Sequence, residues 1–413
     1  MGENVLERDK GVAIIGGGPG GVGCALTLKS MARERGEDIR VVVFEGKRFG
    51  EHYNQCAGVL SHPLGEILKE SFDLEIPQTM IQRVIQGYVL YGDRETIVLE
   101  EDPSKPSLAV QRVELDRFLL GEAEKRGVEV IHSRVTDVEF HSHEVVVYSW
   151  SGTCRASAVV GAFGLSKAMS ACFSRRVGYV SPPHLETLVA KFYPPDSWLP
   201  GLLEDMIHVF LPPFPRTEFG ALIPKGDHIT VILAGWNITT NDMEAFLALP
   251  KVKNLLPPKG PSDFFKGRFP TGLAKRFHGH RYLLVGDASG LVRPFKGKGI
   301  NTAVITGRWA AATLLDHGPS LEASHHYREL CRELMDDMTY GRVARTLASL
   351  TRRYSSLDPV IREAKRDESL KEALFYCVSG HAPFKKIMKN LGHPGTLGRL
   401  LPPLLSSLHL NRQ

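Results

Sequence analysis

Residues 12–21 read Val-Ala-Ile-Ile-Gly-Gly-Gly-Pro-Gly-Gly, and this stretch decides the fold. Four apolar residues followed by turn residues are typical of a buried parallel strand. Gly16, Gly18 and Gly21 fit the G-x-G-x-x-G pattern, which permits a tight turn, close approach to a pyrophosphate, and close packing of a helix on the strand. Phosphates bind at such a helix N-terminus because its N–H groups and dipole favour negative charge. The segment therefore predicts a dinucleotide-binding turn.

The sequence after this turn supports the same prediction. Residues 23–35 are typical of a helix that ends at Gly36, and residues 39–44 of a second buried strand. Glu45 follows this strand directly, where an acid can accept hydrogen bonds from ribose hydroxyls. The same acid disfavours a 2′-phosphate, so the site is not expected to hold NADP.

A second glycine-rich segment lies far along the chain. Residues 282–290 read Tyr-Leu-Leu-Val-Gly-Asp-Ala-Ser-Gly, a strand that ends in a turn. Residues 297–301, Gly-Lys-Gly-Ile-Asn, then open another helix. An aspartate such as Asp287 can accept a hydrogen bond from a polyol hydroxyl, and the glycine-rich helix start can hold a developing anion.

Together these motifs resemble the flavoprotein group that includes the aromatic hydroxylases and the geranylgeranyl reductases. Three further stretches resemble the reductases. Residues 54–60 resemble their cysteine-glycine turn at the flavin, residues 219–227 their Y-x-W-x-F-P-K-x-D segment, and residues 267–270 their short G-x-x-P stretch. The sequence is thus similar to the geranylgeranyl reductase family of FAD-dependent oxidoreductases over about residues 11–315.

The resemblance implies an FAD cofactor and a set of site residues. Glu45 would bind the adenosine ribose, Arg112 would approach the cofactor, Asp287 would bind the ribityl chain, and residues 299–301 would face the N1/O2 edge of the flavin. The implied cofactor-binding residues are Gly16, Gly18, Pro19, Gly20, Gly21, Glu45, Gly58, Arg112, Val135, Gly286, Asp287, Gly297, Gly299, Ile300 and Asn301. The implied catalytic residues are Cys56, Tyr53 and His52.

The sequence also departs from this family in two places. Residues 162–164 read Ala-Phe-Gly, where these flavoproteins usually carry Asp-Gly, and this weighs against direct use of NAD(P)H. Phe219 and Ala221 stand where the reductases usually have tyrosine and tryptophan, so the identity of the substrate stays open.

Three functions follow from these observations. The first is reduction of carbon–carbon double bonds in an isoprenoid or lipid, with Cys56 as acid or redox group; the alternative for Cys56 is a buried structural cysteine. The second is an FAD-dependent monooxygenase acting on a hydrophobic or aromatic substrate. The third is a non-enzymatic flavin-bearing binding protein, which the change at Phe163 suggests. The residues near 223–225 favour the first.

Aromatic residues of the second domain allow two interpretations. They either line a long apolar pocket or belong to the core. The residues concerned are Phe192, Phe210, Phe214, Phe219 and Trp236.

Composition narrows the protein class. The 413 residues are 43% hydrophobic and 23% charged, with a net charge of +5, which fits a globular protein and argues against a nucleic-acid partner. The six cysteines form no C-x-x-C pair and no zinc-ligand spacing, so a reducing, cytoplasmic location is expected. The chain shows no signal peptide and no apolar run of about 18 residues.

The predicted fold is α/β: a Rossmann-type FAD-binding domain with an inserted antiparallel-sheet substrate domain and a helical C-terminal region. The predicted domains are 1–175 and 271–318 for FAD, 176–270 with part of 60–110 for substrate, and 319–413 for the helices. The basic and apolar C-terminal segments either form a helical lid or contact a membrane peripherally. The expected partners are a hydrophobic or lipid substrate and an electron donor, NAD(P)H or ferredoxin.

Overall fold

The computed structural model describes residues 6–7, 10–50, 56–195, 203–261, 263–293, 299–354, 356–385 and 387. In chain order the strands are β1 (Val12–Ile15), β2 (Val41–Phe44), β3 (Val59–Leu60), β4 (Ile81–Ile85), β5 (Gly87–Tyr91), β6 (Thr96–Glu100), β7 (Ser107–Val110), β8 (Glu129–Ile131), β9 (Val135–Phe140), β10 (Val145–Ser149), β11 (Gly152–Ala156), β12 (Ala158–Gly161), β13 (His184–Phe192), β14 (Met206–Phe210), β15 (Thr217–Pro224), β16 (Ile229–Gly235), β17 (Phe264–Pro270), β18 (His278–Gly279) and β19 (Tyr282–Leu284). The helices are α1 (Pro19–Glu34), α2 (Leu64–Phe72), α3 (Arg112–Lys125), α4 (Lys167–Val177), α5 (Thr240–Leu247), α6 (Pro250–Lys253), α7 (Ile300–His317), α8 (Leu321–Leu330), α9 (Arg332–Tyr354), α10 (Asp358–Ala364) and α11 (Glu368–Ser379).

A six-stranded sheet carries both glycine-rich turns. Its order is β18-β19-β12-β1-β2-β8, and all neighbours pair in parallel except β18 and β19. Every residue of β1, β2 and β12 is buried, as expected for parallel strands covered on both faces. The predicted Rossmann-type unit is confirmed.

Helix α1 begins at Pro19, four residues before the predicted start. Proline is well suited to the first helical position because its N–H is not needed there and its φ is already helical. Glycines on both helices allow the backbones of α1 and α7 to approach closely. A Cβ on Gly307 of α7 would clash with the Gly20 carbonyl oxygen, and one on Gly23 of α1 would lie 3.0 Å from the Val304 carbonyl oxygen. Helices α1 and α7 therefore cross in direct main-chain contact.

A seven-stranded sheet lies against this unit. Its order is β17-β13-β16-β15-β14-β5-β6, antiparallel throughout except for the parallel pair β14–β5. One face packs on α5 and α6 through residues such as Leu233 and Phe246. The other face, which includes Ile207, Val209 and Ile232, turns toward the glycine-rich turns.

The predicted meander at residues 84–99 divides between two sheets. Strand β4 pairs with β7, whereas β5 and β6 form a hairpin at the edge of the seven-stranded sheet. Alternating apolar residues indicate strands but do not specify their partners, which explains the difference. The large sheet thus draws on residues 87–100 as well as 184–270, and the predicted domain boundaries stay a prediction.

The helices α10 and α11 pack on the β5–β6 hairpin through Ile361, Leu370 and Val378. The helical region breaks just before Pro359: α9 ends at Tyr354 and α10 begins at Asp358, so the proline lies in the first turn of the new helix, where it is tolerated. Helix α9 is joined to β15 by Arg345, whose guanidinium donates two hydrogen bonds to Glu218.

The apolar segment at 400–405 lies outside the described residues. Within the described ranges, no helix is long and apolar enough to cross a bilayer.

Candidate flavin site

The turn between β1 and α1 leaves space for a ligand at one glycine only. Gly16 has φ +110°, and a Cβ there would clash with the Ala162 carbonyl; one on Gly21 would clash with Gly16. These two glycines are required by the protein's own backbone. At Gly18 the nearest atom to an added Cβ is the Arg112 Nη2, 4.0 Å away. This open space beside an arginine at a helix N-terminus fits a pyrophosphate.

Glu45 is buried at the end of β2 and braces the turn. Its Oε2 accepts a hydrogen bond from the Gly17 N–H at 3.0 Å, and its Oε1 accepts one from the Lys47 N–H at 2.7 Å. The carboxylate also lines the cavity described below. A carboxylate has further lone pairs, so it can accept from a ribose hydroxyl in addition. Its ribose-binding role stays a prediction.

Arg112 is held by a buried acid on its own helix. Its Nε donates to the Asp116 Oδ1 at 2.9 Å, and the Lys47 Nζ donates to the Oδ2 at 2.9 Å. Burial alone would raise the pKa of Asp116, but the two cations outweigh it and lower that pKa. Burial likewise opposes the charge on Arg112, but Asp116 outweighs it and the pKa of Arg112 is raised. Arg112 is thus a fixed, mostly buried cation.

Asp287 lies at the second glycine-rich turn, next to the start of α7. Burial raises the pKa of its carboxyl to about 6, although Arg112 opposes the change. A Cβ added to Gly299 would lie 3.1 Å from the Asp287 Oδ1, so the carboxyl and the N-terminus of α7 are neighbours. A hydroxyl donor from a ligand would stabilise the ionised form of this group.

The first residues of α7 combine a structural and a ligand-facing role. The Asn301 Nδ2 donates to the carbonyls of Ser61 and His62 at 3.2 and 3.3 Å, which fixes the segment after β3. Gly299, Ile300 and Asn301 all line the cavity. The backbone N–H groups of a first helical turn lack partners within the helix and can bind an anionic edge. Gly297 lies outside the described residues.

The cysteine-glycine turn is fastened to the seven-stranded sheet by a lysine. Gly58 has φ +63°, and its N–H donates to the Cys56 Sγ at 3.4 Å. The buried Lys225 donates from Nζ to the carbonyls of Gly58 and Val110, both at 3.0 Å. Burial lowers the pKa of Lys225 to about 7. Cys56 is exposed on the cavity wall, so the buried structural alternative is wrong. His52 and Tyr53 lie outside the described residues.

One cavity of about 730 Å³ joins these elements to the seven-stranded sheet. Most predicted cofactor residues line it, whereas Gly21 and Gly58 serve backbone packing. The predicted residues on its wall are Gly16, Gly18, Pro19, Gly20, Glu45, Cys56, Arg112, Val135, Gly286, Asp287, Gly299, Ile300 and Asn301. Its far end is mostly apolar and is lined by Tyr88, Ile207, Val209, Phe219, Ala221, Ile223, Ile232, Phe269 and Val378, with the polar Thr187 and Arg268 beside them.

The aromatic residues of the second domain divide between the two interpretations. Phe219 lines the cavity. Phe192, Phe210 and Phe214 belong to the core on the opposite face of the sheet, and Trp236 is 48% exposed. A pocket lined by all five is therefore wrong.

Phe163 lies in the segment where the related flavoproteins usually carry an acid. Its ring lies 5.1 Å from that of Phe173 and 6.1 Å from that of Tyr179. Phe163 also lines the cavity, so this part of the wall is aromatic rather than charged.

Several wall residues were not assigned a role from the sequence. Lys225 does not line the cavity but holds the Gly58 turn beside it; its segment resembles the reductases, yet its burial and its contact with Gly58 depend on distant residues. Arg293 donates to the carbonyls of Gly380 and Ala382 and so joins the second turn to the end of α11. Tyr88 lies in β5 without any local motif. No short-range signal marks Arg293 or Tyr88.

Comparison with known proteins identifies reductases and flavin-dependent enzymes as similar to this chain. No model of a protein family matches the chain. It is 24% identical over 366 residues to a digeranylgeranylglycerophospholipid reductase of Methanococcus vannielii, covering 83% of this chain and 88% of that protein. Among solved structures, it is similar to a geranylgeranyl bacteriochlorophyll reductase-like protein of Thermoplasma acidophilum, with TM-score 0.71, 19% identity and coverage of 95% and 98%. It is also similar to the flavin-dependent brominase Bmp2, with TM-score 0.69, 16% identity and coverage of 92% and 98%.

These comparisons bear on three predictions. The flavoprotein fold is confirmed by the two solved structures. The similarity to geranylgeranyl reductases is confirmed by the relatives that match most of the chain. The enzyme class, an FAD-dependent oxidoreductase, is confirmed with it.

Proposed function

Because the chain is similar to geranylgeranyl reductases over most of its length, we propose that it reduces carbon–carbon double bonds of an isoprenoid lipid, using FAD. One observation carries the proposal: a single cavity runs from the dinucleotide turn at Gly18 to an apolar wall on the seven-stranded sheet. A ligand can therefore lie against aliphatic side chains while its end reaches the cofactor-binding loops.

The apolar wall suits a substrate without hydrogen-bonding groups. Ile207, Val209 and Ile232 are buried, at most 8% exposed, and present only aliphatic surface. An isolated alkene offers no carbonyl to polarise, so binding depends on apolar burial and on exclusion of water. Phe219 and Ala221 leave this wall less polar than the tyrosine and tryptophan expected from the reductases.

The chain's charged groups hold the cofactor end. When bound, FAD supplies the hydride for this chemistry. The fixed cation of Arg112 faces the space beside Gly18, and the N-terminus of α7 stabilises negative charge near Asp287. Cys56, on the same wall, stays our candidate for an acid or redox group in the reaction.

We further propose that the electron donor is a ferredoxin-type protein rather than NAD(P)H. The aromatic cluster at Phe163 supports this choice, since it occupies the position where an acid serves the nicotinamide-dependent hydroxylases.

A lipid substrate also implies peripheral contact with a membrane surface. Sedimentation with anionic vesicles tests that contact, and an equal amount of protein in the pellet with and without vesicles would contradict it.

Stopped-flow absorbance tests the main proposal. The holoprotein is reduced with dithionite without oxygen and is then mixed with a digeranylgeranylglycerophospholipid in detergent, or with oxygen. We expect the lipid to reoxidise the flavin promptly and to be recovered with fewer double bonds, while oxygen reacts slowly. A fast oxygen reaction through a hydroperoxide-like absorbance, with no response to the lipid, would instead indicate a monooxygenase.

A further inference from the structure

A buried polar cluster lies directly behind the apolar wall of the cavity. The Ser107 Oγ donates to the Glu101 Oε1 at 2.6 Å, and the Ser107 N–H donates to the Glu101 Oε2. The His381 Nε2 lies 3.3 Å from the Ser107 Oγ and 3.6 Å from the Glu101 Oε1. The Tyr88 hydroxyl lies 3.4 Å from the Ser107 Oγ. Ser107 is therefore the centre of a network that ends on Tyr88.

Burying this network has a high cost in free energy, because its polar groups lose their solvation. The Glu101 side chain is 1% exposed and that of His381 is 9% exposed, and the surrounding residues, such as Ile85 and Leu99, are apolar. Replacing buried ionic groups by apolar ones of similar volume is often neutral or stabilising, so packing alone does not explain this set. A hydrogen-bonded chain of titratable groups beside a cavity is, in contrast, what proton transfer requires.

The cluster connects the cavity with the protein surface. Tyr88 is on the cavity wall, in β5, next to Ile207 of β14. On the far side, the His381 ring contacts the His62 ring edge-on, with centroids 6.1 Å apart. The His62 Nδ1 lies 3.5 Å from the Glu66 Oε1, and the Glu66 side chain is 56% exposed. The groups thus follow one another from the cavity toward the surface, with hydrogen bonds as far as His381 and a ring contact from there to His62.

We propose that Tyr88 donates the proton that completes the reduction of the alkene, and that Ser107, Glu101 and His381 return a proton to it from solvent. The inference rests on the proposed function. The double bond gains a hydride from the reduced cofactor at one carbon and the Tyr88 hydroxyl proton at the other. The Tyr88 oxygen then takes the proton of the Ser107 hydroxyl, which is replaced from the Glu101–His381 pair. Water reprotonates that pair, so atoms and charge balance.

The surroundings keep Tyr88 protonated until it is needed. Burial raises the pKa of Tyr88 well above its usual value, and the negative charge of Glu101 raises it further. The groups facing the hydroxyl are Ser107 and Glu101, with His381 beyond them, and the ring of Phe375 packs edge-on at 6.2 Å. A phenol of this kind holds its proton at neutral pH and releases it only toward a strongly basic carbon centre.

The test uses Tyr88→Phe and a matched control on the same strand. Tyr91 donates to or accepts from the His208 Nδ1 at 2.8 Å and packs on the opposite face of the sheet, so Tyr91→Phe removes a partly buried, hydrogen-bonded hydroxyl away from the cavity. Dithionite-reduced holoprotein is mixed with the digeranylgeranylglycerophospholipid. We expect Tyr88→Phe to slow flavin reoxidation about a hundredfold or more, and Tyr91→Phe to leave it unchanged. Reoxidation by oxygen should be unchanged in both.

Ser107→Ala and Glu101→Gln test the relay itself. Ser107→Ala breaks the bridge while keeping Tyr88, and should slow lipid reduction over repeated turnovers in excess dithionite, because Tyr88 must regain a proton before each new turnover. Glu101→Gln removes the nearby negative charge, so the pKa of Tyr88 should fall in NMR titrations of the oxidised holoprotein with isotope-labelled tyrosine. Normal rates in Tyr88→Phe and Ser107→Ala would overturn the proposal. Failure of the wild-type protein to react with the lipid would count instead against the proposed function.

Discussion

The buried Lys225 leads to a prediction about stability and pH. Its ammonium bridges the carbonyls of Gly58 and Val110 and is 3% exposed, so the charged form loses most of its solvation. The pKa falls from its ordinary value of 10.5 to about 7 in the folded protein. Between these values the unfolded chain binds a proton at this site and the folded chain does not. The free energy of unfolding therefore rises with pH over that window.

The size of the effect follows from the two pKa values. A shift from 10.5 to about 7 corresponds to about 5 kcal/mol, at about 1.4 kcal/mol per pH unit. This destabilisation is complete below about pH 7 and disappears as the pH approaches 10.5. The difference arises in the folded state, because burial disfavours the ammonium there.

The assay compares Lys225→Met with the wild-type holoprotein in urea unfolding at several pH values. The substitution also leaves two carbonyls without their donor, a cost that does not depend on pH, so the slope is the measured quantity. We expect the wild-type free energy of unfolding to rise relative to the variant by about 1.4 kcal/mol per pH unit between pH 7 and 10. Lys266→Met, whose side chain is 52% exposed, is the control and should parallel the wild type. Parallel curves for Lys225→Met would refute the reasoning.

Two further substitutions test the predicted site residues. Glu45→Gln retains only one accepting oxygen for the Gly17 and Lys47 N–H groups and the ribose, so FAD should bind about tenfold more weakly, measured by fluorescence of released flavin; unchanged retention would contradict the ribose role. Cys56→Ala should slow lipid reduction about a hundredfold while FAD stays bound, because its thiol is the redox candidate on the cavity wall and Tyr88 supplies the proton; a wild-type rate in stopped-flow would remove Cys56 from the mechanism.

The sequence predicts the cofactor half of the molecule well because its signals are local. Gly16, Gly18 and Gly21 lie within six residues, and their roles follow from the backbone turn that they form. Asp287 is likewise part of a contiguous strand and turn. The resemblance also led to Arg112, and the structure places it in the predicted cavity.

The substrate half is harder to predict for two physical reasons. Strand β14 is buried on both faces and β15 is buried at every residue but one, so their sequences have no apolar–polar alternation to show which side faces the cavity. This is why Phe210 and Phe219 were grouped together although they lie on opposite faces. The second reason is distance along the chain: Ser107 and His381 are 274 positions apart, and no local motif brings them together.

The main-chain contact between α1 and α7 has a consequence for how new specificities arise in this architecture. Both helices begin at cofactor loops, and the missing side chain of Gly307 sets the distance between their axes. The distance between the two cofactor loops is thus set by glycine positions that are separate from the residues of the apolar wall. The wall residues of β14, β15 and β16 can therefore change under selection for another ligand without altering that distance. One methyl group on Gly307 would disturb it even with every ligand-contacting residue intact.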